Sequence, residues 1–297
     1  MRVLVTGASG FLGHAVCAEL SARGHDVHAL VRRAGSQPPD TTPVSGELTD
    51  AVRLTAAVTE VAPDAVVHLA AEIASQRSAE RIRDVNVEGT RRLVEACSAL
   101  DDGLRLIFTS TVVTGEADGE VLTEQRPLPV ETPYGRSKQE GERIVLESGL
   151  HAVVIRPSHV YGPGGWYAQE MVPLLRRRGR FAVVGRGDNL WDVVYVDDVA
   201  CACSDALERA PAGAVYHCVD DEPITYYDFM ALTARALGVG APRRIPAAVA
   251  RIAAGRHAVT AVVRSARSSN AKLKTELGWT PRYASARQGI PAAIAAL

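Results

Sequence analysis

Short apolar runs alternate with longer amphipathic segments through the first two thirds of the chain. The apolar runs are rich in Val, Ile and Leu, which is typical of strands buried on both faces of a sheet. They are Val3–Val5, Val27–Val31, Ala65–Leu69, Leu104–Thr109 and Ala152–Ile155. The segments between them have helical spacing, and they are Leu12–Ala22, Asp50–Val61, Asn86–Ala99 and Pro133–Ser148. This alternation predicts right-handed crossovers and a doubly wound parallel sheet, an α/β fold.

The pattern changes after Pro157, where glycine and proline interrupt the chain at Gly162–Gly165. A helical segment follows at Gln169–Arg178, and the apolar run Val193–Val196 then leads into another at Asp198–Glu208. Beyond residue 220 the chain is mostly helical and rich in Ala. We therefore expect two domains. The first comprises residues 1–156 and 191–218, and the second, which is smaller and mostly helical, comprises residues 157–190 and 219–297.

Composition narrows the class of protein. Of the 297 residues, 47% are hydrophobic and 23% are charged, which is ordinary for a chain that buries a sizeable core. A formal net charge of −1 gives no general attraction for nucleic acid or anionic membranes. The basic run Arg176–Arg178 is interpreted as a solvated helix end. The five cysteines lack a C-x-x-C pair and the histidines lack ligand spacing, so we expect neither a disulfide framework nor a bound metal.

Two features of the sequence bear on where in the cell the protein is found. Met1–Val5 leads directly into a glycine-rich loop, which leaves no room for a signal peptide. No run of 18 apolar residues is free of charge, so no membrane span is predicted. We therefore expect a cytoplasmic protein.

A glycine-rich loop joins the first predicted strand to the first predicted helix. The spacing in Gly7-Ala8-Ser9-Gly10-Phe11-Leu12-Gly13 is G-x-x-G-x-x-G, and no Lys-Ser/Thr follows, which excludes a P-loop. Gly7 permits the tight turn, Gly10 lets a pyrophosphate approach the backbone, and Gly13 lets the helix pack closely. The amides of Ser9, Phe11 and Leu12 would face the phosphates. The loop thus indicates a Rossmann dinucleotide site, the alternative being a tight turn that binds nothing.

The end of the second strand bears on which dinucleotide is bound. NAD-dependent enzymes usually place an acidic residue there to hold the ribose 2′-hydroxyl. Here the strand ends in Arg32 and Arg33, and the next acidic residue is Asp40. Guanidinium groups suit a 2′-phosphate, which they grip with two hydrogen bonds. NADP is therefore the predicted cofactor, with NAD as the alternative and two merely solvated arginines as the simpler reading.

Tyr134 and Lys138 form the candidate acid/base pair. They are four residues apart at the start of a predicted helix, so the phenol and the ammonium share one face. A free tyrosine, with a pKa of about 10, is a poor acid at neutral pH, and a nearby ammonium is expected to lower that pKa. Ser110 ends a predicted strand, where its hydroxyl could bind the same substrate oxygen. Such spacing is common by chance and gains weight from the glycine loop.

The chain resembles the extended short-chain dehydrogenases/reductases, the NAD(P)-dependent epimerase/dehydratase group. The resemblance covers almost the whole chain and rests on several blocks that occur in the family's order. They are Gly7/Gly10/Gly13, His68-Leu69-Ala70-Ala71, Asn86-Val87-Glu88-Gly89-Thr90, Thr109-Ser110-Thr111, Tyr134-x-x-x-Lys138, Arg156-Pro157-x-x-Val160-Tyr161-Gly162-Pro163-Gly164, Val196-Asp197-Asp198-Val199-Ala200 and Leu277-Gly278-Trp279-x-Pro281.

The resemblance implies roles for individual residues. Tyr134 would be the acid/base, Lys138 would lower its pKa and hold the nicotinamide ribose, and Ser110 would polarise the substrate oxygen. The first domain would bind NADP and the second the substrate. Besides the loop, Arg32, Arg33 and Lys138, the implied cofactor residues are Glu47, Leu48, Leu69, Ala70, Ala71, Asn86, Thr109, Pro157 and His159. The implied substrate residues are Glu72, Thr111, Tyr161, Trp166 and Trp191.

Family members often pair through two helices, so the resemblance also implies a homodimer through the helices at 86–99 and 133–148.

Three departures from the family pattern concern the substrate. Val113-Thr114-Gly115 replaces Val-Tyr-Gly, which opens space near the substrate. Trp191-Asp192 replaces a frequent Arg-Asp, which weakens the case for a nucleotide diphosphate. His159 replaces a frequent Asn, and either a positioning role or a second proton-transfer role fits it.

Three functions fit these observations. The leading hypothesis is an NADP-dependent reductase or dehydrogenase that moves a hydride between the nicotinamide and a small carbonyl or alcohol. The alternative is a nucleotide-sugar epimerase, in which the hydride is taken and returned. A dehydratase is less favoured, because Val112-Val113 stands where dehydratases carry Asp-Glu. A third class, a nucleotide sensor without chemistry, conflicts with the intact set of Ser110, Tyr134 and Lys138.

Overall fold

The computed structural model of the chain describes residues 1–73, 76, 78–100, 103–113, 119–126, 130, 132–178, 182–254, 259 and 263–297. In chain order its strands are β1 (Arg2–Thr6), β2 (Asp26–Val31), β3 (Thr42–Ser45), β4 (Ala65–His68), β5 (Arg105–Thr109), β6 (Val121–Leu122), β7 (His151–Pro157), β8 (His159–Tyr161), β9 (Ala182–Val184), β10 (Leu190–Trp191), β11 (Val193–Tyr195), β12 (Val215–Cys218), β13 (Ile224–Thr225), β14 (Arg243–Ile245) and β15 (Arg267–Ser268).

The helices lie between these strands and after them. They are α1 (Phe11–Ala22), α2 (Ala51–Val61), α3 (Ala79–Arg83), α4 (Gly89–Ser98), α5 (Pro133–Leu146), α6 (Val172–Arg178), α7 (Val196–Arg209), α8 (Tyr226–Ala236), α9 (Ala247–Ala254), α10 (Ala271–Leu277) and α11 (Ala286–Ala295). Single turns of π-helix, Asp84–Glu88 and Tyr167–Met171, precede α4 and α6.

Seven parallel strands form the main sheet in the order β12-β7-β5-β4-β1-β2-β3. In the register of its centre, Val5 of β1 lies opposite Ala29 of β2 and Val67 of β4. The strand order reverses between β1 and β4, and ligands of doubly wound sheets bind in the crevice outside the carboxyl ends of the strands at this point. The predicted doubly wound Rossmann-type fold is therefore confirmed.

Apolar side chains cover both faces of the main sheet. Because successive residues of a strand point to opposite faces, Val3 and Val5 of β1 join one buried cluster and Leu4 joins the other. The first cluster is completed by apolar residues of α1, α7 and α10, and the second by those of α2, α4 and α5. This double burial explains why these strands appear in the sequence as continuous apolar runs.

A third apolar cluster lies outside the main sheet and contains aromatic residues from β8, β10, β11 and α8. The predicted strand at Val193–Val196 is present as β11, but it pairs with β8 and not with the main sheet. The seventh strand of the sheet is instead β12, beside β7. The division of the chain into two domains stays a prediction. No helix among the described residues is long and apolar enough to cross a membrane.

Candidate active site

The glycine loop lies at the carboxyl end of β1 and shapes a cradle of bare backbone. Gly7 has a φ of +72°, and a Cβ placed on it would lie 2.7 Å from the backbone nitrogen of Ala70. A Cβ on Gly13 would collide with the carbonyl oxygens of Gly7 and Ala8. Both positions therefore require glycine. The cradle fits the pyrophosphate of a dinucleotide, because it brings backbone amides and the start of α1 to one place.

The other loop residues have distinct surroundings. Ser9 is exposed, while Phe11 and Leu12 are half-buried. The ring of Phe11 lies against the backbone of Gly165, so close that a Cβ on that glycine would be 2.5 Å from it. The turn at residues 162–165 is therefore packed directly on the start of α1.

The residues predicted to hold the adenosine end follow β2 and β3. Arg32 and Arg33 are exposed at the end of β2, Glu47 is half-buried, and Leu48 is buried. Gly46 donates its amide to the carbonyl of Val31, which brings the segment after β3 beside the end of β2. Two guanidinium groups thus lie where a ribose substituent would be recognised in this class of fold.

Tyr134 and Lys138 lie in the first two turns of α5. The helix begins here because the Thr132 hydroxyl accepts a hydrogen bond from the amide of Gly135 (3.0 Å) and Pro133 occupies the first turn. Tyr134 is half-buried and Lys138 is 4% exposed. The Lys138 ammonium lies 4.7 Å from the centre of the Phe108 ring, at the end of β5. The structure therefore places Lys138 beside the end of β5, with Tyr134 one helical turn earlier on the same face of α5.

Burial shifts the pKa of both groups. It raises the pKa of the Tyr134 phenol to about 12 and lowers that of the Lys138 ammonium to about 8, with Glu142 opposing the second shift. The shift of the phenol pKa is thus opposite to the one expected from a neighbouring ammonium, because burial disfavours the phenolate. At neutral pH Tyr134 is therefore a phenol with a proton to donate.

Asn86 connects the loop after β4 to α5. Its side chain accepts a hydrogen bond from the Glu72 amide (2.7 Å) and donates to the Glu72 carbonyl (2.9 Å) and to the Ser137 hydroxyl (2.9 Å). Ser137 in turn donates to the Tyr134 carbonyl oxygen (2.7 Å). The carboxylate of Glu72 accepts a hydrogen bond from Arg81 (2.6 Å). In this structure Asn86, which the family resemblance assigns to the cofactor, positions the base of the Tyr134 helix.

His68 has a role that the sequence analysis did not assign. Its Nδ1 lies 2.6 Å from the Thr6 hydroxyl and its Nε2 lies 2.9 Å from the Thr90 hydroxyl. Thr90 donates its own proton to the Asn86 carbonyl oxygen (2.7 Å), so it accepts from Nε2, and Nδ1 accepts from Thr6. Burial lowers the pKa of His68 to about 3, so the ring is neutral. No local motif indicated these partners, which lie 62 and 22 residues away.

Ser110 lies just beyond β5, and its hydroxyl oxygen is buried. Among the described residues this oxygen has no hydrogen-bond partner. Thr109 and Pro157, also predicted to lie at the cofactor, are buried at the ends of neighbouring strands β5 and β7. The Thr111 hydroxyl accepts a hydrogen bond from the Val113 amide (3.0 Å) and is thus used within its own turn. A buried hydroxyl such as that of Ser110 costs free energy unless a ligand or water binds it.

His159 is held in a defined orientation and tautomer. Its ring stacks on the Trp191 indole with the ring centres 4.5 Å apart and the planes 7° apart. Nδ1 lies 3.0 Å from the Asp192 carbonyl oxygen, which can only accept, so Nδ1 carries the proton. Burial lowers the pKa of His159 to about 4, so at neutral pH Nε2 is a hydrogen-bond acceptor. This favours the positioning role over donation of a proton from Nε2.

Two of the predicted substrate residues lie in the core instead of on the site surface. Tyr161 has no exposed surface, and its hydroxyl lies against Gly289 of α11. Trp191 is 6% exposed because His159 covers one face and the Tyr226 ring lies 4.5 Å away. Trp166 is half-exposed and donates its indole N–H to the Val160 carbonyl (2.8 Å). Thr114 and Gly115 lie outside the described residues.

Arg264 approaches the site from a distant part of the sequence. It is 9% exposed and donates a hydrogen bond to the carbonyl of Val112 (2.8 Å), in the segment after Ser110. Its charge also contributes to the lowered pKa of His159. Sequence reasoning missed it because no motif surrounds it. Among the described residues, no group of three or more His, Cys, Asp or Glu side chains could hold a metal ion.

Together the sheet and the glycine cradle define a Rossmann-type protein with a site whose shape fits a dinucleotide. A model described as the NAD dependent epimerase/dehydratase family matches residues 3–218. The chain belongs to this family and is an NAD(P)-dependent oxidoreductase of the extended short-chain type, as the resemblance implied.

Two relatives carry the names of reductases. A 3-diazoavenalumate denitrifying reductase from a Streptomyces species is 34% identical over 304 residues, covering 98% of this chain and 99% of the relative. A 2-alkyl-3-oxoalkanoate reductase from Stenotrophomonas maltophilia is 35% identical over 262 residues, with coverage of 82% and 77%. The crystal structure of Thermus thermophilus UDP-glucose 4-epimerase with NAD has a TM-score of 0.82 and 28% identity, covering 100% of this chain and 98% of that one.

Proposed function

We propose that the protein is an NADPH-dependent reductase of a small carbonyl substrate. The observation that carries the proposal is the combination of a protonated Tyr134 phenol, a buried Lys138 ammonium one turn along the same helix, and the buried hydroxyl of Ser110, which has no hydrogen-bond partner within the described part of the chain. Ser110 follows β5, which lies two strands from β1 in the parallel sheet, and the glycine cradle that fits a dinucleotide follows β1 at the same edge. The reductase names of both relatives support net reduction.

Each side chain contributes a defined step. When bound, NADPH supplies a hydride to the carbonyl carbon. Tyr134 donates its phenolic proton to the carbonyl oxygen, so that the products are an alcohol and NADP⁺. Ser110 donates a hydrogen bond to the same oxygen and stabilises the negative charge that develops there. Lys138 holds the cofactor ribose, and its positive charge stabilises the phenolate that Tyr134 becomes until solvent returns the proton.

The choice of NADP over NAD rests on Arg32 and Arg33, which are exposed at the end of β2. We expect Arg32→Ala to weaken NADPH binding by about ten- to a hundredfold, because a hydrogen bond to a charged group contributes about 1.5–3 kcal/mol. NADH binding should change little. Fluorescence titration of both cofactors measures the ratio. Arg53→Ala, an exposed arginine on α2, is the matched control, and equal losses for NADPH and NADH in Arg32→Ala would refute the preference.

Reduction and epimerisation differ in their net effect on the cofactor. The indole of Trp191 is buried beneath His159 at a position where nucleotide-sugar enzymes of this family often carry a cation, which favours a substrate without a diphosphate. A reductase oxidises one NADPH for each substrate molecule, whereas an epimerase returns the hydride. Absorbance of NADPH with a panel of small ketones and aldehydes, alongside UDP-glucose, tests this. Epimerisation of the sugar with constant NADPH absorbance would favour the alternative.

We also propose a homodimer through α4 and α5. The outward sides of these helices carry several charges, with Arg91 paired to Glu88 and Arg143 paired to Glu140 and Glu147. A two-fold interface here would therefore be polar and would match such charges across the axis. Sedimentation velocity at micromolar concentration is expected to give a dimer that dissociates as the salt concentration rises, and a monomer at low salt would contradict it.

A further inference from the structure

A line of buried charges continues from Lys138 away from the predicted cofactor site. Glu142 follows Lys138 by one helical turn, and its carboxylate accepts two hydrogen bonds from Arg156 of β7 (2.8 and 2.6 Å). The side chains of Arg156 and Glu142 are only 14% and 8% exposed. Parallel double hydrogen bonds of this kind fix both partners in geometry as well as in charge. A buried ion pair of this sort is weak evidence for stability alone, which invites another explanation.

The placement of Glu142 connects it to the site. Tyr134, Lys138 and Glu142 are spaced by four residues each and so share one face of α5. This face lies close to the sheet, because a Cβ on Gly141 would be 2.6 Å from the Phe108 ring, over which the Lys138 ammonium lies. Arg156 is the penultimate residue of β7, directly before Pro157. The carboxylate is thus held between the sheet and the helix turn that carries the ammonium.

The titratable groups around Lys138 belong to several elements. His68 on β4 is neutral, Tyr134 on α5 is an uncharged phenol, and Arg156 on β7 is a cation already bound to Glu142. Glu142 is the group whose charge raises the pKa of Lys138, while burial lowers it to about 8. The ammonium would otherwise lose its proton more readily, since an uncompensated buried charge is strongly disfavoured.

We propose that Glu142, fixed by Arg156, is a positioning residue of this site: its buried carboxylate, one helical turn from Lys138, stabilises the Lys138 ammonium that would hold the cofactor ribose. The proposal rests on the function proposed above, in which Lys138 binds the cofactor ribose. The charge of Lys138 then depends on Glu142 of α5 and on Arg156 of β7 as well as on Lys138 itself. It also gives a reason for burying an ion pair between α5 and β7.

The test is the pH dependence of NADPH binding in Glu142→Gln, measured by fluorescence titration from about pH 6 to about pH 10. This range spans the pKa of Lys138, which burial lowers to about 8. NADPH affinity should fall as pH rises through the pKa of Lys138. In Glu142→Gln the fall should begin at lower pH, so that at about pH 8 binding is on the order of fivefold weaker than in the native protein. Glu147→Gln is the matched control, because Glu147 pairs with Arg143 on the exposed side.

Removing one partner of a buried ion pair can unfold a protein, so a second variant is needed. Glu142→Met with Arg156→Met removes both charges and keeps the volume filled. It should show a downward displacement that is smaller than in Glu142→Gln, because no unpaired Arg156 cation remains, and a native melting temperature. A pH midpoint equal to that of Glu147→Gln in both variants would overturn the proposal. The readout is binding, so it stays informative even if Tyr134→Phe keeps full activity and the proposed reaction fails.

Discussion

Tyr134→Phe is expected to lower the rate of NADPH-dependent carbonyl reduction by about 10²–10⁴, the usual contribution of a positioned general acid. The substitution removes the phenolic proton and keeps the ring, which is half-buried at the start of α5. Ser137 holds the backbone of Tyr134 through its carbonyl oxygen, so the helix start should be unchanged. The dissociation constant of NADPH should therefore change little, and stopped-flow reduction with fluorescence titration measures both quantities.

A matched control is Tyr227→Phe in α8, whose ring lies 3.9 Å beneath the Arg244 guanidinium and also survives the change. It should keep full activity. Full activity in Tyr134→Phe would remove the proposed mechanism.

The pH profile offers a further check. Because burial raises the pKa of Tyr134 to about 12, the phenol is the major form at neutral pH, and oxidation of an alcohol, which needs the phenolate, should accelerate as pH rises.

Gly13→Ala is expected to weaken NADPH binding by at least about tenfold and to cost about 1–3 kcal/mol of stability, as overpacking usually does. The added methyl would lie 2.5 Å from the Ala8 carbonyl oxygen and closer still to that of Gly7. To relieve this contact, α1 must move away from the loop that presents its amides to the pyrophosphate. Thermal unfolding and fluorescence titration measure the two effects.

The control for this prediction separates stability from binding. Ala18→Gly lies on the exposed side of the same helix and should destabilise it by about 1 kcal/mol through backbone entropy. Its NADPH affinity should remain native. If Gly13→Ala binds NADPH as well as Ala18→Gly does, the cradle at residues 7–13 is not the pyrophosphate site.

Much of the fold could be predicted because its signals are local. β1, β2 and β4 are mostly apolar runs, and the glycine loop occurs between β1 and α1, so these strands and the cradle follow from short stretches of sequence. β3 was not predicted: only Val44 of its four residues is buried, and Pro43 is typical of an edge strand. β11 was predicted as a strand, but its pairing with β8 depends on the whole chain.

The candidate site likewise combines features that a short stretch of sequence predicts with features that depend on distant residues. The spacing of Tyr134 and Lys138 is a property of one helix and was visible at once. The fully buried position of Tyr161 depends on Gly289, which is 128 residues further along, and the approach of Arg264 to Val112 spans 152 residues. The alternation of side chains along β8 could not show which face of the strand other elements would bury. The balance between burial and charge at Tyr134 likewise requires the packed structure.

The hydrogen bonds through His68 all run in one direction. The Ala70 amide donates to Thr6, Thr6 donates to His68, and His68 donates to Thr90. Thr90 donates to the carbonyl of Asn86, whose side chain donates to Ser137, and Ser137 to the carbonyl of Tyr134. Bonds aligned head to tail polarise one another. The end of β1 and the start of α5 are thus connected through two aligned series of hydrogen bonds that meet at Asn86, and a neutral histidine fixes the orientation of the Thr6 and Thr90 hydroxyls.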